Sequence, residues 1–456
     1  MTARARRPHS REVTTVPHMV NPVQDDALLL LTRGYDAGAE IWKRARSGAR
    51  AAPMRILGKD ALLVRGAEGV RLFYDEHLVR RHRAMPLFIQ ESLFGHGSVH
   101  SLDGEEHRQR KATFLDVAYD DAHVVRLEPY LEREWQHEVE AWHGGGERSA
   151  YRAAVGAIGR AMQRWAGLPG TADAKTRWAH RQAQIVDGFG VPYSPEYLVT
   201  LINRVWSDRH ASALIEAVRA GTLEAKEGTA LHAWAWHRDA DGEQLPPRRA
   251  GIELQNSFRP AIAVARFAAF AAKELHERPE WRERIAAETA ERGRLTGGPL
   301  ATAFAHEVRR TAPFVPMLPA RAVRDVELDG QRVGPGGLVF LDVLGTDLDD
   351  ASWSSATAFE PERFAGVDDF ESIDAFVPQG GGHSSTGHRC PGEKITLATL
   401  TSAIAALSDP RVTILGEGLD VNRRRMPTVP ASGGRVRSAS PTRPGAGCPI
   451  HALNQP

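Results

Sequence analysis

The segment Pro378–Leu400, PQGGGHSSTGHRCPGEKITLATL, constrains this chain more than any other. A glycine-rich stretch, Gly380–Gly382, runs into Cys390, and Pro391–Leu407 then reads as a helix. Proline suits the first helical position, so the pattern puts Cys390 at or beside the N-cap. Free backbone N–H groups and the helix dipole favour a thiolate there. A thiolate held by backbone donors is what a haem iron takes as an axial ligand. Three other readings fit the same loop. Cys390 is an inert buried cysteine, or a redox or nucleophilic thiol, or one ligand of a zinc site with His383 and His388. The zinc set lacks a fourth ligand at a usual spacing. Cys448 also precedes a proline, but no helix follows it, and it reads as structurally neutral.

Two cysteines in 456 residues are no disulfide framework and point to a reducing cytoplasm. The 58 basic and 57 acidic residues nearly balance, which argues against a protein that coats nucleic acid. No run reaches the roughly 18 apolar residues of a membrane span. The best candidate, Ala261–Ala272, is short and carries Arg266, so no integral membrane insertion is expected. Residues 1–25 are basic without an apolar core and read as a disordered or loosely docked arm. Residues 437–456 are rich in Ser, Pro and Gly and read as a flexible tail.

Between these ends, residues 26–436 read as one domain, mainly α with small β-sheets, an α+β chain without βαβ alternation. Asp26–Arg46 is amphipathic and helical. Met54–Leu57 and Ala61–Arg65 are strand-like, joined by a Gly-Lys-Asp turn. Helical patterns run from Glu106 to about Glu291, broken at 144–146, 169–170, 188–192 and 246–247. Ile252–Glu277 is the longest apolar helical stretch, and Ala301–Ala312 is another helix. Met317–Val343 then alternates as strands do.

Glu307 and Arg310 lie three apart on a helix and can pair. Downstream, Pro361-Glu362-Arg363-Phe364 can bring Arg363 to the same carboxylate. A Glu-x-x-Arg, a PERF segment and a Cys-Pro-Gly before a helix, in that order, resemble the cytochrome P-450 superfamily over nearly the whole domain. The resemblance implies a single-domain haem-thiolate fold, haem b as cofactor and Cys390 as its axial ligand. It makes Glu307, Arg310 and Arg363 a buried structural triad. The usual loop has Phe seven residues before the cysteine and Gly four before it. Here those positions are His383 and Thr386, a form that resembles the bacterial fatty-acid peroxygenase branch of hydroxylases and alkene-forming decarboxylases.

A reductase-driven oxygenase of this superfamily carries an acid followed by Thr in the helix above the haem. Ile252–Glu277 has no Thr, and its centre is Arg259-Pro260. Pro260 cannot donate to the Asn256 carbonyl, so the helix is expected to kink and open a groove. By itself Arg259 reads as a snorkelling or surface-paired arginine. The resemblance makes Arg259 and Pro260 the carboxylate-binding pair of the peroxygenases. A free fatty acid then binds through a two-point pair with Arg259. Its carboxylate serves as general acid and base for hydrogen peroxide, and oxidation falls at Cα or Cβ because the head group is fixed. The resemblance further places Phe94 and His100 in the substrate pocket. His100 corresponds to a His in some decarboxylases and a Gln in typical hydroxylases, and an imidazole near its ordinary pKa of about 6.5 is a proton donor. His107, Lys111, Arg321 and His388 become haem-propionate partners.

The sequence thus leads to a cytoplasmic, hydrogen-peroxide-dependent fatty-acid peroxygenase that hydroxylates, or decarboxylates to terminal alkenes, and needs no obligatory reductase. The alternatives are a reductase-dependent monooxygenase and a non-catalytic haem-binding sensor.

Overall fold

The computed structural model describes residues 25–143, 145–385 and 387–439. The chain opens with α1 (Asp26–Arg33), α2 (Ala37–Trp42), β1 (Ala51–Ile56), β2 (Lys59–Val64), α3 (Gly66–Phe73), β3 (Val79–Arg80) and α4 (Leu87–Ile89). A helical block follows: α5 (Gly104–Ala118), α6 (Asp121–His143), then β4 (Arg148–Ser149), α7 (Ala150–Trp165), α8 (Ala172–Gly188), α9 (Pro195–Arg219) and α10 (Ala230–Trp236). It continues with α11 (Pro247–Ala263), α12 (Ala265–Glu277), α13 (Pro279–Arg292) and α14 (Pro299–Thr311). The last part holds β5 (Met317–Ala322), β6 (Val326–Leu328), β7 (Gln331–Val333), β8 (Leu338–Asp342), α15 (Val343–Asp347), α16 (Glu393–Leu407), β9 (Val412–Ile414) and β10 (Arg435–Ser438).

The helix-rich α+β reading holds. One five-stranded sheet runs β1-β2-β8-β5-β3, and two smaller sheets run β4-β10-β9 and β6-β7. The domain edges shift by a residue or two. The Asp25 carboxylate accepts the N–H groups of Ala27, Leu57 and Gly58 at 2.9, 3.1 and 2.7 Å, so Asp25 belongs to the folded body. Likewise β10 runs past residue 436 to Ser438. The remainder of the arm and the tail, and Cys448 with it, lie outside the described residues.

Two local expectations change. The single helix expected over Asp26–Arg46 is three pieces, α1, a 3-10 turn Gly34–Asp36 and α2, because Gly34 takes φ 58° where the chain meets the Arg423 carbonyl. The β1–β2 turn is Leu57–Gly58 rather than Gly-Lys-Asp, since Lys59 already pairs with Ile56. Both turn residues have positive φ, the two-residue geometry that matches strand twist.

The core lies among α6, α7, α12, α14 and α16, around Trp135, Trp142 and Trp165. Helix α7 is buried on nearly every side, which its Ala and Gly content permits. At Gly159 a Cβ would sit 2.2 Å from the Ala179 Cβ, so only glycine lets α7 and α8 cross this closely. The helix runs through Pro260 without a break at the expected place and divides four residues on, at Val264, into α11 and α12.

Behind the cysteine loop, Glu307 is fully buried and gathers four donors from three residues. Arg310 Nε and Nη2 reach its two oxygens at 2.8 and 2.7 Å, Arg363 Nε reaches Oε1 at 3.2 Å, and the Glu360 N–H reaches Oε1 at 2.8 Å. Arg310 also donates to the carbonyls of Asp347, Ala356 and Ala358 at 2.8, 2.6 and 2.9 Å. One guanidinium thereby ties α14, α15 and the 354–364 segment together. Glu307→Gln should leave buried cations without a counter-charge at a cost of about 3–5 kcal/mol. The expected result is a clearly lowered denaturation midpoint in urea; an unchanged midpoint would show that the triad carries no stability.

Candidate active site

A cavity of about 310 Å³ opens between Cys390 on one wall and Pro260 and Ala261 on the other. The proximal wall comes first. Helix α16 begins at Glu393 with Gly392 as its cap, so Cys390 lies two residues before the cap rather than on it. The Gly392 backbone N–H still acts to lower the thiol's pKa. Cys390 is exposed to the cavity rather than to bulk water, and burial pushes its thiol up, with Glu393 adding to the effect. The thiolate therefore needs a metal or fixed cations to persist. Lys111 and Arg309 are such cations and act on Cys390 in the opposite direction to burial.

Arg309 belongs to a buried chain of charges that the sequence did not disclose. It pairs with Glu393, and Arg389 Nε reaches the same carboxylate at 2.6 Å. All three are essentially inaccessible, and their charges sum to one positive. Arg389 also donates to the Glu371 carbonyl at 3.2 Å, and Ser384 Oγ donates to the Glu371 carboxylate at 2.6 Å. These bonds hold the loop that presents Cys390. His383 does not join it: the residue is exposed, and the described residues contain no cluster of three metal-ligating groups, so the zinc reading fails.

One edge of the cavity is cationic. His107 and His388 stack at 4.0 Å between ring centroids, and both line the cavity with Lys111. Lys111 Nζ donates to the carbonyls of Gly387 and of Arg389, the latter at 2.8 Å. Burial lowers its pKa to about 8. His107 Nδ1 is buried with no hydrogen-bond partner. Arg321 does not reach this edge, contrary to expectation. Its guanidinium is held by the carbonyls of Gly336 and Arg83 at 2.9 and 2.6 Å. Arg81 lines the cavity instead, lying 3.8 Å over the Phe73 ring and donating to the Pro319 carbonyl at 3.2 Å.

The distal wall is α11 with the loop before α5. Phe94 closes a π-helical turn, Gln90–Phe94, and His100 sits in a 3-10 turn, Val99–Ser101; their rings stack at 4.0 Å. Glu253 and Asn256, neither singled out from sequence, fasten this loop to α11. The Glu253 carboxylate accepts the Val99 N–H at 2.7 Å and an Asn256 amide N–H at 2.9 Å. Asn256 also donates to the Phe94 carbonyl at 3.2 Å. Glu253 is fully buried, and burial raises its pKa.

Arg259 is 2% exposed. Its Nη2 donates to the Asn256 amide oxygen, while Nη1 is buried with no partner. Among the described residues no carboxylate pairs with it. Burial, and then the like charge of Arg204, press its pKa well down. A guanidinium does not give up its proton in a protein, so the strain persists as an unmet demand for an anion. His100 is affected as well. It is open to the cavity, where desolvation by the surrounding protein and then the Arg259 charge lower it to about 3, so it stays neutral where the sequence suggested an imidazolium donor.

An apolar slot with a thiol at one face and a cationic edge containing an orphaned imidazole nitrogen fits a haem, whose iron Cys390 would ligate and whose propionates His107, Lys111, His388 and Arg81 would meet. A larger cleft of about 510 Å³ beside α12 is less suited to a ligand, because its charges are already mutually paired, Lys273 with Glu277 and Arg278 with Glu274.

Comparison with known proteins agrees. The family model described as Cytochrome P-450 matches residues 275–407. A structure of cytochrome P-450SP alpha (CYP152B1) is 35% identical with a TM-score of 0.82, covering 91% of this chain and 98% of that one. The ligand-free structure of cytochrome P-450 OleT is 30% identical with a TM-score of 0.83, covering 92% and 98%. Among curated sequences, cytochrome P-450 76C4 of Arabidopsis thaliana is 34% identical over 116 residues, 25% of this chain. That match spans only 22% of the relative's length. The chain belongs to the cytochrome P-450 family. Within it, these two solved structures, each matched over almost its whole length, belong to the branch to which the Cys390 loop pointed.

His107 and His306 are both buried and lowered from 6.5, to about 3 and about 2, in each case first by burial. The unfolded chain therefore binds more protons than the folded one below pH 6.5. Their contribution to stability is complete above that value and is lost as pH falls, by about 1.4 kcal/mol per pH unit for each group. The urea midpoint should drop between pH 7 and pH 5; a midpoint independent of pH in that window would contradict the neutral assignment.

Proposed function

We propose that the protein is a hydrogen-peroxide-dependent fatty-acid peroxygenase acting on free fatty acids at Cα and Cβ. The observation that carries this reading is Arg259, a buried guanidinium with an unpartnered Nη1, one residue before the Pro260 that lines the cavity. The neighbouring structures support it: a variant of cytochrome P-450 OleT, 29% identical to this chain, has been solved in complex with arachidonic acid.

Haem b, ligated by Cys390, would supply the oxidising chemistry. Arg259 binds the substrate carboxylate through charge-assisted hydrogen bonds, and Asn256 sets its orientation. The bound carboxylate then accepts a proton from one oxygen of hydrogen peroxide and returns it to the other. No acid–Thr pair is needed, and α11 offers none to the cavity: Asn256, Ser257, Pro260 and Ala261 line it, while Glu253 is committed to the loop. Neutral His100, stacked on Phe94, is a hydrogen-bonding wall for the substrate rather than a source of protons. With the head group fixed, only the first two methylene carbons come near the oxidant. Hydroxylation consumes one peroxide and releases one water. Decarboxylation to a terminal alkene consumes one peroxide and releases carbon dioxide and two waters. We place the reaction in the cytoplasm; among the described residues no helix is long and apolar enough to cross a membrane.

Purified protein given a medium-chain fatty acid and hydrogen peroxide, without reductase, should form the α- or β-oxidised products. Arg259→Ala should lower kcat/KM about a hundred-fold or more, the cost of removing one partner of a buried charge pair, while the ferrous–CO band of a thiolate-ligated haem remains. Turnover that requires a reductase, or an Arg259→Ala variant with wild-type kcat/KM, would overturn the reading.

A further inference from the structure

Helix α9 faces the wrong way for a helix in water. Leu198, Leu201, Ile202, Val205 and Trp206 point outward, with Leu198 62% and Ile202 66% exposed. The buried side of the same turns is polar: Thr200, Asn203, Arg204, Ser207 and Asp208. That side is committed to hydrogen bonds. Thr200 Oγ1 donates to the Gln184 carbonyl at 3.0 Å, Asn203 donates to the Gln184 side chain at 2.8 Å and accepts from Arg181 at 2.8 Å, and Arg204 pairs with Asp208. An amphipathic helix ordinarily buries its apolar stripe. Here the polar network fixes the opposite orientation and leaves a continuous apolar strip, the kind of patch that marks an interaction surface.

Leu87 and Phe88 prolong the strip. Tyr197 Oη donates to the Phe88 carbonyl at 3.1 Å, their rings lie 6.4 Å apart, and Leu87 is 69% exposed. Met85, two residues before Leu87, lines the cavity. The strip is flanked by positive charge. The Arg181 guanidinium lies 4.6 Å over the Trp206 ring, Arg209 is exposed on the same helix, and Arg425 acts on Glu196 near the start of α9.

We propose that this strip docks on an anionic lipid surface, with the first half of α9 lying in the headgroup plane, its aliphatic side chains inserted and its arginines against phosphates. The combination of an apolar face and basic flanks is that of a helix that lies on a bilayer rather than through it. A second copy of the chain fits less well, because a two-fold contact through α9 would bring the same basic flanks together. The fatty-acid reading supplies only the purpose: an acyl chain leaving the bilayer would meet the cavity wall at Met85. The docking itself does not depend on that reading.

The test uses full-length haem-loaded protein in vesicle flotation. It should float with phosphatidylcholine vesicles containing phosphatidylglycerol, about ten-fold more weakly with phosphatidylcholine alone, and less as salt is raised. Ile202→Glu should weaken flotation about ten-fold or more and Arg209→Glu by less, both with the wild-type ferrous–CO spectrum. Protein that fails to float with either vesicle, or an Ile202→Glu variant that floats as the wild type does, would overturn the proposal. So would a concentration-dependent dimer, seen in sedimentation without vesicle binding and dissociated by Ile202→Glu, which would assign the strip to a second copy. Protein that floats yet oxidises no fatty acid keeps the docking surface and refutes the peroxygenase reading. The reverse result refutes docking alone.

Discussion

A guanidinium buried without an acid organises the distal half of this molecule. Taking Arg259 out of water costs several kcal/mol unless a counter-charge arrives, and the described residues supply an amide oxygen instead of a carboxylate. The surrounding network explains how the fold tolerates this. Asp208 is taken by Arg204, and Glu253 is taken by Val99, Asn256 and Arg110. Each nearby carboxylate thus has another duty, and Arg259 keeps a buried N–H without an acid partner, one residue before the Pro260 that lines the cavity. An anionic guest completes an ion pair that the chain leaves half made.

The proximal half solves the opposite problem. A cysteine facing an apolar cavity resists ionisation, and the fold places a net positive chain, Arg309–Glu393–Arg389, and Lys111 around it. The Glu307–Arg310–Arg363 cluster fixes the segment behind that chain. Both faces of the cavity are therefore held by buried charges. Apolar packing supplies the bulk of the fold, and the charges determine where its two reactive walls stand.

What the sequence disclosed and what it withheld follow from range. Cys390 and the Glu307–Arg310 pair are local: each depends on spacing of a few residues along one helix or loop, and each was legible. Arg321 and Arg81 were not separable, because which arginine faces the cavity depends on carbonyls at Arg83 and Gly336 that only the sheet brings near. Glu253 was not legible because its partner, the Val99 N–H, lies 154 positions away in sequence. The neutral state of His100 depends on desolvation and on the Arg259 charge, neither of which a motif encodes. Helix α9 shows the same limit from another side: its apolar period is plain in the sequence, but the polar network that turns the stripe outward is tertiary.

The central claim is that Arg259 awaits a carboxylate, and ligand binding tests it without reference to turnover. Titrating the haem-loaded protein with a free fatty acid and with its methyl ester, followed by the Soret band, compares guests that differ chiefly in charge. The account predicts that the acid binds at least about a hundred-fold more tightly than the ester, and that this preference vanishes in Arg259→Met. Equal affinity for acid and ester in the wild-type protein would contradict it.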